Sequence, residues 1–182
     1  MVQIITDSST LITVAEGKEM GIDVLPLCVN IMDEDYRDLQ VDMDDFYGKI
    51  AKGGIPKSSQ PPVGEYVEAF KAHAGKKILN IAMAHGLSGT YQSACGAKEI
   101  ADNKDDIEVF NTRTLCGPHR YMVEKALSMA EAICEQIDVP AVQLDDLLYC
   151  IISNEKDQKT YDQNHIHKKG TTERHGKINT VT

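Results

Sequence analysis

The chain has 182 residues, 42% of them hydrophobic, with a formal net charge of −9 and a pI near 5.1. That length holds one ordinary core without disulfide staples. The acidic balance, with no Lys/Arg stripe, excludes a general nucleic-acid binder, because neutralising phosphates requires a basic face.

Residues 2–6 form a short apolar run that empties into Asp7-Ser8-Ser9, the pattern of a buried strand followed by a polar turn. Leu11, Val14, Ala15 and Glu19 predict a helix over 10–20, ended by Gly21. Residues 22–32 are rich in Ile, Val and Leu but broken by Pro26, which fits an edge or irregular strand. The acids between Asp33 and Asp45 lack the alternating spacing and central glycine of a calcium loop. They predict a solvated loop and then the first turn of a helix over 42–52, where carboxylates suit the positive end of the macrodipole.

Ser58-Ser59-Gln60 lies between prolines that hold the backbone extended, as a loop. Val63, Tyr66, Val67, Phe70 and Ala74 then recur at helical spacing up to Gly75. The near-continuous apolar stretch 77–84 reads as a strand covered on both faces. Ser88 is placed to cap a helix running to Ala101, whose Ala94, Ala97 and Ala101 make a small-residue face. A further strand is expected over 107–110, a long helix from Met122 to Ile137, and another helix through Leu144, Leu147, Leu148 and Ile151. After Ser153 the apolar residues lose all period, so a polar tail is expected over 154–182 and one domain over 1–153.

This alternation predicts a layered α/β/α fold with a mainly parallel sheet. Ligands collect beyond the carboxyl ends of such strands. The turns Asp7-Ser8-Ser9, Ser88-Gly89-Thr90 and Asn111-Thr112 each follow an expected strand and should therefore cluster at one edge. Ser88 and Thr90 offer hydroxyls before a helix terminus, and Ser58, Ser59 and Gln60 supply further donors if the two segments meet. His85 is a candidate ligand-facing donor. No Gly-x-Ser-x-Gly elbow surrounds a serine, which argues against a nucleophile, and no phosphate-binding Gly-x-x-x-x-Gly-Lys-Ser/Thr loop is present. Cys28, Cys95, Cys116, Cys134 and Cys150 are odd in number and widely spaced, so reduced, core-facing residues are expected. His165, His167 and His175 offer no preformed metal site, and no metal or cofactor is expected. No apolar run approaches the roughly 20 residues of a membrane span and no signal segment opens the chain, so a cytoplasmic location is expected.

Several motifs in order carry a family resemblance: Thr6-Asp7-Ser8-Ser9, Gly21-Ile22-Asp23-Val24-Leu25-Pro26-Leu27, Tyr36-Arg37-Asp38 with Phe46-Tyr47, Pro56-Lys57-Ser58-Ser59-Gln60-Pro61, and Leu87-Ser88-Gly89-Thr90-Tyr91-Gln92-Ser93-Ala94. Together they resemble the DegV family, bacterial fatty-acid-binding subunits with an EDD-type α/β fold. The resemblance implies a non-enzymatic carrier. It would hold a long-chain fatty acid, with its carboxylate among the hydroxyls of Ser58, Ser59, Ser88 and Thr90, and present it to the catalytic subunit of a fatty acid kinase. Ser58 stands where a threonine is usual, Pro62 where a serine is usual, and Asn111-Thr112 where an Asp-Ser pair is common. Family members continue into a second domain over the acyl chain, and nothing after Ser153 resembles it. A groove lined on one side would leave apolar surface for a homodimer. The alternative, from the hydroxyl turns alone, is a sugar-phosphate or polyol phosphotransfer enzyme of similar fold.

Overall fold

A computed structural model describes residues 2–136. The expectations for the helix through Leu144 and for the 154–182 tail lie outside the described residues.

Strand β1 (Gln3–Asp7) is apolar because it runs through the centre of the sheet, paired in parallel on both sides. Its partners are β2 (Asp23–Leu25) and β6 (Ile78–Ala82), and β7 (Ile107–Asn111) extends the sheet beyond β6, giving the order β2-β1-β6-β7. β6 is buried at every residue, as its near-continuous apolar run predicts, and it takes the polar Asn80 into the core with it. Helices α3 (Val63–Ala72) and α4 (Thr90–Ile100) cover one face. There Tyr66, Phe70, Ala94 and Ala97 pack on Ile5, Ile78, Ile107 and Val109. The alanine face of α4 is buried as its spacing foretold, since small side chains let a helix approach a sheet closely. The long helix α5 (Cys116–Gln136) packs against β1. The fold is thus α/β around a parallel sheet.

Several local expectations are corrected. The segment 10–20 is not one helix: Ser8–Thr10 makes a single 3-10 turn, Leu11 is left-handed at φ 63°, and α1 (Val14–Glu19) restarts behind a Thr13 cap that accepts from the Glu16 amide at 3.1 Å. Gly21 does end it, at φ +75°. Close packing explains Gly17 in α1, where a Cβ would fall 2.5 Å from Val24 Cγ2.

Pro26 divides the second apolar run into two strands. Before it lies β2, the edge strand of the parallel sheet, as its proline indicated; after it, β3 (Cys28–Ile31) starts a separate antiparallel sheet with β4 (Glu34–Arg37) and β5 (Lys57–Ser59), in the order β4-β3-β5. The solvated acidic loop therefore contains a strand. Met32 and Asp33 make the two-residue hairpin turn, both with positive φ, at 52° and 61°. The acids stay largely exposed, as expected, and two of them pair with a lysine: Asp45, which lies in α2 (Met43–Ala51), accepts from Lys49 Nζ at 2.6 Å and Glu34 accepts from it at 3.0 Å. The Tyr36 hydroxyl also meets this ammonium, whose pKa is raised, chiefly by Asp45. Asp42, expected in the first turn, instead caps α2, accepting from the Asp45 amide at 2.9 Å.

Third, Ser58 and Ser59 are strand residues, not loop residues. Finally, α5 begins six residues before Met122, because a proline in the first turn, here Pro118, removes no helical hydrogen bond. The described cysteines Cys28, Cys95 and Cys116 are free but only partly buried, which corrects their placement in the core.

One core feature is testable. The Tyr66 hydroxyl is buried without a hydrogen-bond partner among the described residues, and burial raises its pKa well above the ordinary value. Tyr66→Phe is expected to leave stability unchanged or raise it by up to about 2 kcal/mol, since the lost group carries a desolvation penalty and no bond. Equilibrium denaturation in urea checks the sign.

Candidate ligand-binding site

The loops after β1, β6 and β7 emerge side by side, because these strands are adjacent and parallel. The hydroxyl-rich turns named from the sequence therefore share the carboxyl edge of the sheet, but their groups differ in how much bonding capacity they have left.

Asp7 is saturated. It is 1% exposed, its Oδ1 accepts from the Ser9 amide at 3.0 Å and its Oδ2 from the Met83 amide at 3.0 Å. The carboxylate thus ties the β1 loop to the end of β6. Ser8 is equally occupied: its hydroxyl donates to Asp38 Oδ2 at 2.7 Å and accepts from the Leu27 amide at 3.0 Å, which clips β4 and the β2–β3 connection onto the same loop. Ser9 is half-buried and its Oγ lies 3.0 Å from Nδ1 of His119.

In the β6 loop, Ser88 is not the helix cap that its position indicated. Gly89 holds the cap position of α4 without a side-chain bond, and Ser88 sits one residue earlier. Its Oγ accepts from the Thr90 amide at 3.3 Å and lies 2.8 Å from Thr90 Oγ1. Thr90 is fully buried, so when it donates to Ser88 the Ser88 hydrogen is left to point outward. The expected meeting of this turn with the Ser58-Ser59-Gln60 segment occurs through one contact: a Cβ on Gly89 would fall 3.0 Å from the Gln60 side-chain amide. A side chain at position 89 would push the flexible end of Gln60 back by a few tenths of an ångström.

The strand geometry separates the two serines. Ser59 pairs with Cys28, itself opposite Arg37, whereas Ser58 pairs with Val29 opposite Tyr36. Successive residues of a strand point to opposite faces, so Ser58 and Ser59 cannot address one group from the same side. Arg37 lies two strands from Ser59, with Cys28 between them; it pairs with Glu65 and donates to Cys28 Sγ at 2.8 Å.

After β7, Asn111 Oδ1 accepts from the Arg113 amide at 3.0 Å, and Asn111 Nδ2 donates to His85 Nδ1 at 2.7 Å. His85 is exposed and its ring lies 6.1 Å from that of Tyr91, so its Nε2 is the nitrogen left for a ligand. The Thr112 hydroxyl is spent on the Ala82 carbonyl at 2.9 Å.

Two features of the edge were not read from the sequence. Each of the three loops exposes a leucine: Leu11 at 54%, Leu87 at 63% and Leu115 at 38%. His119, fully buried in the first turn of α5, reaches the β1 loop from 110 residues away. The expected helix began only at Met122, and reading Pro118 as a first-turn residue would have put His119 on it. Among the described residues, no cluster of three His, Cys, Asp or Glu side chains is arranged to hold a metal ion, and no helix is long and apolar enough to cross a membrane.

Comparison with known proteins agrees with this architecture. A family model described as "Uncharacterised protein, DegV family" matches residues 1–137. Protein DegV of Bacillus subtilis is 30% identical over 133 residues, 70% of this chain and 47% of that protein. A DegV domain-containing protein of Listeria innocua is 30% identical over 136 residues, 72% of this chain and 48% of its own length. The chain spans about half the length of these curated relatives. Among solved structures, that of DegV, a fatty acid binding protein from Bacillus subtilis, matches with a TM-score of 0.70 at 26% identity, covering 85% of this chain and 54% of the other. A DegV family protein from Thermus thermophilus, described by its fatty acid binding, shares the fold with a TM-score of 0.64 at 23% identity, over 84% and 52% of the two chains. The chain belongs to the DegV family.

Proposed function

We propose that the carboxyl edge of the parallel sheet binds a long-chain fatty acid, as the Bacillus subtilis relative is described to do, and that the chain is a carrier rather than an enzyme. The observation that carries the reading is the pairing, on adjacent loops, of the partly exposed Ser88 hydroxyl, free to donate outward when Thr90 donates to it, with the exposed leucines of all three loops. An acyl chain gains roughly 0.8 kcal/mol for each methylene it buries against such side chains. Neutral donors at the start of a helix suit a carboxylate without fixing a full counter-charge.

Within this reading Ser88 is the primary carboxylate donor, and Thr90 aligns it from beneath. Gln60, Ser59 and the His85 Nε2 flank it, Gly89 gives the close approach, and Asp7 and Ser8 hold the loops without touching ligand. Ser58 faces the opposite side of β5 and takes no part. The exposed head group would be presented to a fatty acid kinase catalytic subunit, which performs the phosphoryl transfer. A domain over 1–153 with a distinct polar segment over 154–182 belongs to the same proposal, as does a second copy of the chain covering the leucine rim.

The test is direct. Delipidated protein is titrated calorimetrically with palmitate, and Ser88→Ala is expected to weaken binding by about 10- to 100-fold, the worth of one hydrogen bond to a charged group. Its stability should fall by less than about 1 kcal/mol, because Gly89 and not Ser88 occupies the cap position. Undiminished affinity in Ser88→Ala removes that hydroxyl from the site, and a wild-type chain that binds no acyl chain overturns the function.

A further inference from the structure

Ser9 and His119 form a polar pair that the carboxylate reading leaves unassigned. The pair is built from elements 110 residues apart and lies at the same sheet edge as Ser88.

The hydrogen directions follow from the partners. His119 Nε2 lies 3.0 Å from the Ile81 carbonyl and 3.2 Å from Thr6 Oγ1, whose own hydrogen goes to the same carbonyl at 2.8 Å. A carbonyl oxygen only accepts, so Nε2 carries the ring hydrogen and Nδ1 is the bare nitrogen of the neutral imidazole. The Ser9 hydroxyl, 3.0 Å from Nδ1, therefore donates inward. Its half-buried oxygen turns only lone pairs outward, the wrong polarity for an anion. Swinging the hydrogen outward over a neutral ring would strand a fully buried nitrogen without a donor.

We infer that His119 is a positioning residue that sets the direction of the Ser9 hydrogen. Over a neutral ring Ser9 is an acceptor; when Nδ1 takes up a proton it donates to Ser9 Oγ, and Ser9 turns its own hydrogen out to an anionic head group. This rests on the proposed carboxylate site and adds Ser9 to it as a conditional donor.

The surroundings set the balance. Burial holds the His119 pKa below its ordinary value, against the opposing pull of the Asp7 carboxylate and of the Ile81 carbonyl bond. Of the other charges nearby, Arg120 on α5 is engaged by Glu16 at 2.5 Å and Glu124 at 2.8 Å, and Asp38 takes the Ser8 hydroxyl. The empty site thus keeps His119 neutral at pH 7, and an anion arriving at Ser9 adds the charge that favours the imidazolium. Proton and anion then bind cooperatively, and by linkage each strengthens the other. The sign is fixed: a group whose pKa rises on binding makes affinity highest at low pH. Affinity falls by up to about tenfold per pH unit between the ring's free and ligand-bound midpoints.

A long-chain alkyl sulfonate is the probe, because its head group stays anionic where a fatty acid would itself titrate. With the intact 182-residue chain, sulfonate affinity is measured calorimetrically from roughly pH 5 to pH 8. The expected result is a wild-type affinity that falls across this range and a shallower fall for His119→Gln, whose amide keeps a bond to Ser9 without titrating; the slope that remains is lost when His85→Gln is added, since His85 is the other histidine beside the head group. In the same wild-type protein the His119 ring, followed by NMR through its assigned carbon resonances, should titrate at higher pH with sulfonate than without, a readout that does not depend on the variant folding. A pH-independent wild-type affinity, or an unchanged ring midpoint with sulfonate bound, overturns this inference alone. Failure of the sulfonate to bind at any pH overturns it together with the carboxylate site.

Discussion

Asp7→Ala is expected to lower the unfolding free energy by about 2 to 5 kcal/mol, the cost of stranding two donors at roughly 1 to 3 kcal/mol each. The Ser9 and Met83 amides both end on this nearly inaccessible carboxylate. Asp7→Asn keeps one acceptor but turns an N–H toward the other donor, so it should fall between wild type and the alanine variant. Urea denaturation with an unchanged slope gives the number, and a loss below about 1 kcal/mol would mean that the carboxylate does not hold the loops together. A functional consequence follows, because Met83 leads directly into the turn that carries Ser88 and Thr90. Asp7→Ala should therefore also weaken acyl binding, although the carboxylate does not face the ligand.

Phe70→Ala is expected to cost about 3 to 5 kcal/mol, the usual range for deleting a fully buried aromatic ring. Phe70 is 0% exposed, lies 6.1 Å from the Tyr66 ring and packs in the layer between α3 and the parallel sheet. Phe70→Leu restores most of the volume and should cost about 1 to 2 kcal/mol. Because this layer lies away from the exposed leucines, acyl affinity of the folded variant should match wild type. A strong affinity loss in Phe70→Leu, measured well below its melting temperature, would place the acyl chain inside the α3 layer instead.

The parallel sheet was legible because its strands carry their burial in composition: β6 is apolar at four of its five residues, Asn80 being the exception, and the α4 alanines repeat at helical spacing. The second sheet was not. β4 is Glu-Asp-Tyr-Arg and β5 is Lys-Ser-Ser, largely exposed strands whose pairing with β3 leaves no hydrophobic alternation, and the Met32-Asp33 turn lacks the glycine that usually announces a hairpin. At the site, the order of the hydroxyl turns along the chain sufficed to place them at one edge. What the order does not carry is how each hydroxyl is used. Asp7, Ser8 and Thr112 resemble free ligands in the sequence, yet the structure satisfies each of them from residues far along the chain. His119 escaped notice for the same reason, since its partners Thr6, Ser9 and Ile81 come from two other segments.

The hairpin beside the site behaves as a ruler graduated in steps of two. β3 fixes both neighbours at once, and its pairing of Cys28 with Ser59 decides which serine shares a row, and hence a face, with Cys28 and Arg37 and which takes the opposite face. Inserting one residue before β5 would exchange the two hydroxyls, while inserting two would restore the pattern with a longer connection. Length changes between α2 and β5 should thus be tolerated by parity rather than by size, and the identity of the residue at position 58 matters to the ligand only if that parity changes.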